Sequence, residues 1–394
     1  MKTFPRIVLL PKKERSLLLF HPWLFSGAVK KMDSGISEGD IVEIYSSDNK
    51  YLATAHYHDG SIKARIFSFE ETEADFEFWK SKLTAAYRLR ENLGLTNSPL
   101  TNVYRLVHAE GDGLPGLIID IYNTSAVIQT HTLGMQRQVK TIADALTEIY
   151  KGKLSTIYDK SADALGKQSL MGIENQFLVG KDPGTEVCEN GISFYVNWVE
   201  GQKTGFFIDQ RENRELLKRY VSGKNVLNTF SYSGGFSMYA LSAHSLLTHS
   251  VDSSKKAQDW ALRNAELNKF NSDHTFFQED VFDFLKKSTQ KYDVIVLDPP
   301  AFAKHLSSVG KATIGYRNLN TEGIKRIAPG GILFTFSCSQ VIDKELFRKI
   351  VFQAAAQTGR NVRILHQLSQ GPDHPISIYH PEGEYLKGLV LLVD

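Results

Sequence analysis

The chain has 394 residues, 42% of them hydrophobic and 23% charged, with a formal net charge of +2. This length exceeds what one hydrophobic core usually organises, so about two or three domains are expected, and 29 glycines with 12 prolines exclude a collagen-like or low-complexity chain. No run approaches the roughly 18 apolar residues of a membrane span, and Ile7 to Leu10 is cut off by Pro11-Lys12-Lys13, too early for a signal-peptide core. A cytoplasmic protein with no membrane partner is the expectation. Cys188 and Cys338, 150 positions apart, fit a reducing compartment and build neither a disulfide framework nor a metal site by themselves.

Charge is uneven along the chain. Between Met1 and Lys31, seven basic residues (Lys2, Arg6, Lys12, Lys13, Arg15, Lys30, Lys31) stand against one acid, Glu14. Such a stripe either neutralises phosphates or is a solvated basic face. From Gly39 to Phe69, alternating apolar residues predict strands at Ile41 to Tyr45, Tyr51 to His56 and Ile62 to Phe69, with turns at Ser47-Asp48-Asn49 and Asp59-Gly60. Those elements make a small barrel or curled sheet. Helical spacing of Phe76, Trp79, Leu83, Tyr87 and Leu93 then predicts an amphipathic helix closed by Gly94.

Strands follow at Val103 to Val107, Gly116 to Ile121 and Ala126 to Gln129, then a helix near Met135 to Tyr150, giving an α+β unit to about residue 190. Glu110 and Asp112 resemble cation ligands, but the Gly and Pro spacing of Glu110 to Gly116 is what a tight turn requires, and the turn is expected. After Gly191 the pattern changes. Strands at Val226 to Phe230, Thr248 to Val251, Thr275 to Phe277, Val294 to Leu297 and Ile332 to Phe336 alternate with helices at Gly235 to Ser245, Ser253 to Phe270 and Val281 to Lys287. That alternation reads as an α/β doubly wound parallel sheet. The expected divisions are 1–72, 73–190 and 191–394.

The chemistry-bearing residues cluster in the last division. Asn225 to Ala240 reads NVLNTFSYSGGFSMYA, a buried strand entering a Ser/Gly turn and then a helix. Ser231 and Gly234 lie in that turn, where small residues let a ligand approach the backbone. The strict G-x-G-x-x-G spacing of a dinucleotide seat is absent. Asp252, eighteen positions after Gly234, ends the next strand, where a carboxylate can accept from both hydroxyls of a ribose or simply start the following helix. Asp280 closes the third strand in the same way. Asp298-Pro299-Pro300-Ala301-Phe302 follows an apolar strand, and its prolines fix an extended backbone while Phe302 can stack on a planar ring. Cys338, in Ser337-Cys338-Ser339, shares a crevice with Asp298 if their strands are neighbours; it is otherwise small core filler, and Cys188 is structural.

Lys203-Thr204-Gly205-Phe206-Phe207-Ile208-Asp209-Gln210-Arg211, Asn228 to Phe236, Asp298-Pro299-Pro300 and Ser337-Cys338-Ser339 together resemble the bacterial class I S-adenosylmethionine-dependent ribosomal RNA large subunit methyltransferase I family. His21 to Gly27 and the strands to Phe69 resemble its N-terminal PUA RNA-binding domain, and Glu110 to Gly116 a signature of its middle domain. The resemblance implies a Rossmann-like methyltransferase sheet preceded by a PUA-like barrel and an α+β domain. It also implies methyl transfer to carbon 5 of a cytosine in large-subunit ribosomal RNA, free or in an assembly intermediate. By the same resemblance Cys338 is the nucleophile and Asp298 holds the base at its ring nitrogen. Asp252 binds the cofactor ribose, Asp280 its adenine, and Gln210 and Arg211 lie near cofactor or substrate. Lys12, Lys13 and Arg15 would grip RNA backbone, and a homodimer is left open. Some RNA cytosine methyltransferases carry a second cysteine after the Asp-Pro segment; here the sequence has none, so the base that removes the carbon 5 proton is unassigned. Three rivals remain: a guanine methyltransferase, which needs no thiolate; a nicotinamide oxidoreductase, disfavoured by the absent glycine spacing; and a non-catalytic RNA-binding factor.

Overall fold

The computed structural model describes residues 4–166, 172–270 and 273–394, so Lys2 of the basic stripe lies outside the described residues. The chain divides into two compact units. One takes Met1–Val187, Val196–Phe206 and Pro372–Gly383, the other Cys188–Tyr195, Phe207–Gly371 and Glu384–Asp394.

In the first unit, β1 (Arg6–Leu9), α1 (Arg15–Leu18), β2 (Trp23–Phe25), β3 (Val29–Met32), β4 (Ile41–Tyr45), β5 (Tyr51–Tyr57) and β6 (Ile62–Ser68) supply a six-stranded sheet of order β2-β6-β5-β4-β1-β3. Period-two patterning sets its inner face: Val42 and Ile44 are fully buried, and they pack with Ile7, Leu24 and Ile66. Next comes α2 (Phe76–Asn92), whose N-cap Asp75 accepts from Phe78 N–H and which ends before Gly94, at φ +73°. A second sheet has the order β11-β10-β9-β8-β7, from β7 (Val103–His108), β8 (Leu117–Tyr122), β9 (Ser125–Thr130), β10 (Thr156–Asp159) and β11 (Gln176–Val179). The single helix expected over Met135 to Tyr150 is two, α3 (Leu133–Gln136) and α4 (Val139–Ile149), and a short α5 (Ala162–Leu165) follows β10.

Between β7 and β8 the turn is a 3₁₀ segment, Ala109–Asp112, closed by Gly113 at φ +67°. Its two carboxylates are held by arginines rather than poised for a cation. Glu110 accepts from Trp23 Nε1 and Arg65 Nη1, both at 2.8 Å, and Asp112 accepts from Arg90 Nη2 at 2.8 Å and from the His108 amide. Among the described residues no group of three or more acids, histidines or cysteines could hold a metal ion.

A hairpin of β12 (Gly184–Glu189) and β13 (Ile192–Asn197) precedes the second unit's sheet. That sheet's elements run α6 (Arg211–Val221), β14 (Asn225–Thr229), α7 (Gly235–Ser242), β15 (Leu247–Asp252), α8 (Lys255–Leu267), β16 (His274–Gln278), α9 (Val281–Lys287), β17 (Tyr292–Leu297), α10 (Val309–Arg326), β18 (Ile327–Ser337), α11 (Lys344–Thr358), β19 (Val362–Leu368) and β20 (Lys387–Val393). Their order is β16-β15-β14-β17-β18-β20-β19. Five strands, β16 to β18, are mutually parallel, as the alternation of strand and helix requires. The sheet departs from an all-parallel one at β20, which runs antiparallel to both β18 and β19. Val226, Val294 and Val296 pack with α6 and α7 on one face, whereas Leu227, Ile295 and Leu297 pack with α9, α10 and α11 on the other. Strands covered on both faces carry continuous apolar runs, as these do.

Candidate active site

Because five neighbouring strands run the same way, their C-terminal ends lie along one edge. In spatial order that edge carries Asp280, Asp252, the Ser231 to Gly234 turn, Asp298 and Cys338. Open α/β sheets bind ligands there, where the strand order reverses direction between β14 and β17.

The turn after β14 is tightly wound. Phe230, Tyr232 and Gly234 all have positive φ, 52°, 46° and 78°, a conformation that costs L-residues roughly 1 kcal/mol or more. Two contacts hold it: Ser231 N–H donates to Val251 O at 3.1 Å, and Tyr232 N–H donates to Asp252 Oδ2 at 3.0 Å. Asp252 Oδ1 accepts from Ser254 N–H at 2.9 Å, so this carboxylate ties two strand-end loops together, and each oxygen retains lone-pair capacity. From α8, Asn264 donates to Ser233 O at 2.8 Å and accepts from Tyr195 N–H at 2.8 Å. A hydroxyl is left over: Ser231 is 6% exposed, and its Oγ has no hydrogen-bond partner. A buried orphan hydroxyl beside a helix-starting glycine turn and a ribose-ready carboxylate fits an adenosyl cofactor.

Asp280 is exposed and is the N-cap of α9, its Oδ1 accepting from Phe282 N–H at 2.9 Å and Asp283 N–H at 3.1 Å. Gln210 and Arg211 are buried where α6 begins. Gln210 Oε1 accepts from Asn213 Nδ2 at 2.6 Å, and Arg211 Nε lies 3.2 Å from Glu212 Oε1, the neighbouring acid that a purely structural role would supply. Phe207 packs edge-on against Tyr232 at 5.2 Å, which brings the segment leading to α6 beside the Ser/Gly turn.

The other half of the edge is made by β17 and β18, which are indeed neighbours, Leu297 pairing with Thr335. Asp298 and Cys338 are both half-buried, and the thiol of Cys338 lies 3.8 Å from Pro299 O. Ser339 fastens the two loops. Its hydroxyl accepts from Ala303 N–H at 3.2 Å and shares a 2.9 Å hydrogen bond with Tyr316 of α10. Burial raises the Tyr316 phenol above its ordinary range, so it is a neutral hydroxyl here. Phe302 lies against the same ring at 4.5 Å, so one of its faces is already covered. Neither cysteine is in a disulfide.

In the first unit, Lys12, Lys13 and Arg15 are exposed on the turn and helix after β1, so solvent reaches their charges. In the second unit, a cleft of about 600 Å³ along α8 opens beside His274, where β16 starts, at the sheet edge opposite the strand ends that carry Asp252, Asp298 and Cys338.

Sequence reasoning missed Ser339 as a clamp, Tyr316, the buried Arg214 to Glu189 ion pair beneath the Ser/Gly turn, and Lys387. Only Lys387 left a signal: a charged residue opening the apolar run Lys387 to Val393 has to find polar partners inside.

Comparison with known proteins agrees with this arrangement. Residues 7–69 match a PUA-like domain family, and residues 175–383 match a family of S-adenosylmethionine-dependent methyltransferases. A ribosomal RNA large subunit methyltransferase I of Aeromonas salmonicida is 41% identical over 393 residues, 98% of each chain. The protein of that name from Klebsiella pneumoniae is 38% identical, over 99% of this chain and 98% of its own. The chain belongs to the ribosomal RNA large subunit methyltransferase I family. Its cofactor is S-adenosylmethionine, in keeping with the Ser/Gly turn and Asp252. A solved S-adenosylmethionine-dependent methyltransferase from Streptococcus mutans shares the fold, with a TM-score of 0.85, 23% identity, and coverage of 98% of this chain and 100% of that one. A second solved methyltransferase with the same scores is complexed with S-adenosylhomocysteine.

Proposed function

We propose that this ribosomal RNA methyltransferase forms 5-methylcytosine in large-subunit RNA through a covalent adduct on Cys338. One observation carries the reading: a thiol at the end of β18 beside the Asp298-Pro299-Pro300 loop of β17, clamped by Ser339, on the edge that also holds the cofactor turn. Carbon 5 of cytosine is a poor nucleophile, and an enzyme without a thiolate has no ready way to activate it.

In this mechanism the Cys338 thiolate bonds to carbon 6, and the π pair of the carbon 5–carbon 6 bond makes carbon 5 enamine-like. Asp298 holds the ring nitrogen, and its carboxyl gives that nitrogen a proton as the adduct forms and takes it back on breakdown. S-adenosylmethionine, when bound, would supply an electrophilic methyl group for carbon 5, the electron pair of the broken sulfur–methyl bond staying on sulfur. A base then takes the carbon 5 proton, and the released pair restores the double bond and expels Cys338 as thiolate. Asp252 would hold the cofactor ribose and Asp280 its adenine, with Ser231, Gly234, Gln210 and Arg211 completing the cofactor side. Phe302 and the basic Lys12, Lys13 and Arg15 would serve RNA, the latter as backbone contacts in the cytoplasm. The three larger sheets, of six, five and seven strands, support the division into 1–72, 73–190 and 191–394 as PUA-like, α+β and methyltransferase domains.

The test is methylation of RNA from cells lacking the protein, with mass analysis of the labelled nucleoside, using the parent and Cys338→Ala proteins. Labelled 5-methylcytosine from the parent, and none from Cys338→Ala despite unchanged S-adenosylmethionine binding, is expected. Labelled methylguanine, or full turnover by Cys338→Ala, would reject the covalent mechanism. Labelling of ribosomal particles but not of free RNA would place the reaction on an assembly intermediate.

A further inference from the structure

Lys387 opens β20 in register with Ser337, the residue before Cys338. Its side chain is buried at 3% exposure, and Nζ donates to Ser339 O and to Tyr385 O, each at 2.7 Å. The ammonium is thus tied to the carbonyl of the residue following the thiol. Two neutral carbonyls do not neutralise a buried positive charge, which is costly to keep without a counter-charge.

The neighbouring charges are few. Cys338 pulls the Lys387 proton affinity up, as do Glu384 and Asp343, while Lys344 lowers it; burial dominates and brings the ammonium down to about 8. Glu384 is already paired with Lys344, and Asp343 is committed to the start of α11, where it accepts from Leu346 N–H at 2.7 Å. On the α10 side Tyr316 stays neutral, and the Asp298 carboxyl stands at the end of β17. Among the described residues no carboxylate forms an ion pair with Lys387 Nζ.

We infer that Lys387 is a positioning residue for Cys338, its ammonium stabilising the thiolate and its two carbonyl bonds fixing the Ser337-Cys338-Ser339 loop. The inference rests on the reading of Cys338 as nucleophile. The anion and the buried ammonium satisfy each other's need for a counter-charge, and nucleophilic thiols are generally lowered in pKa by such cations.

Alkylation of Cys338 by iodoacetamide across pH 5.5 to 10, in the full-length protein with Cys188→Ser, reads the thiol without RNA or cofactor. The midpoint of the Lys387 protein should lie below the ordinary thiol value of about 8.5. Lys387→Gln, which can still donate to a carbonyl, should raise the midpoint by about one unit and slow alkylation at neutral pH about tenfold, and Lys387→Arg should keep it low. In the methylation assay Lys387→Gln should lose about tenfold in kcat at neutral pH, regain most of it near pH 9, and keep its KM for S-adenosylmethionine; a merely structural defect would not recover with pH. A midpoint at or above the ordinary value in the Lys387 protein overturns the inference whether or not any variant folds, as does an unshifted midpoint in Lys387→Gln. A shifted midpoint alongside full methylation by Cys338→Ala would reject the nucleophile and keep the coupling. An unshifted midpoint alongside an inactive Cys338→Ala would do the reverse.

Discussion

Single residues at the strand ends do two jobs, and the clearest case is Asp252. Its oxygens accept the amides of Tyr232 and Ser254, and the proposed mechanism gives the same carboxylate the cofactor ribose. Asp252→Ala should therefore weaken S-adenosylmethionine binding by about 10-fold to 100-fold, because charge-assisted bonds are among the stronger ones; titration calorimetry measures it, and unchanged affinity would remove Asp252 from the cofactor site. Tyr316→Phe should cost about 1 kcal/mol of stability by leaving Ser339 with one partner fewer, read from denaturant unfolding, with cofactor affinity unaltered. Asp252, Asp280, Asp298 and Cys338 were legible in the sequence since each follows an apolar strand, and parallel strands put such residues at one edge. Ser339 and Tyr316 were not, since their importance depends on which strands and helices become neighbours across tens of residues, and Lys387 left only the signal of a charge opening an apolar run.

At the scale of elements, local signals were read well and long-range ones poorly. The helix end at Gly94, the turn at Gly113 and the parallel strands follow from glycines and apolar runs. The antiparallel β20 could not be anticipated: the strand it separates from β18, β19, is mostly exposed and carries little apolar signal. Nor does a sequence show that a turn's acids are bound by distant arginines. Arg90, fully buried on α2, closes a two-pronged pair with Asp112 and also donates to Asp373 O. Arg90→Met would strand a buried carboxylate and should destabilise the first unit by about 3–5 kcal/mol. Urea unfolding would show the loss, and a change under 1 kcal/mol, roughly that of an exposed pair, would deny the pair its structural weight.

For the molecule as a whole, acid is the condition to which it is most exposed. Burial lowers His56 to about 3 and His131 to about 4, both in the first unit and both below the ordinary 6.5. The unfolded chain therefore binds protons that the folded chain refuses as pH falls below about 6.5. Stability is full above that value and declines through the interval down to about 4 for His131 and about 3 for His56, each histidine contributing up to about 1.4 kcal/mol per pH unit. Unfolding midpoints at pH 7.5 and 5.5 should differ accordingly, and His56→Asn should flatten the slope; an identical slope would deny that His56 is buried neutral.

The first unit also borrows the late stretch Pro372–Gly383, where Asp373 accepts from Arg105 N–H at 3.1 Å and His374 lies against His108. The second unit closes its sheet with β20, among the described residues the one strand that pairs with β19. Both units are thus completed within residues 372–393. During synthesis neither unit has all its residues while the ribosome still holds that stretch, whereas the β1 to β6 sheet, complete by Ser68, does not wait for it. Before β20 emerges, β18 presents an open strand edge that needs shelter. On the inference drawn for Lys387, the chain also emerges chemically quiet, because the charge that arms Cys338 arrives with the strand that completes the sheet.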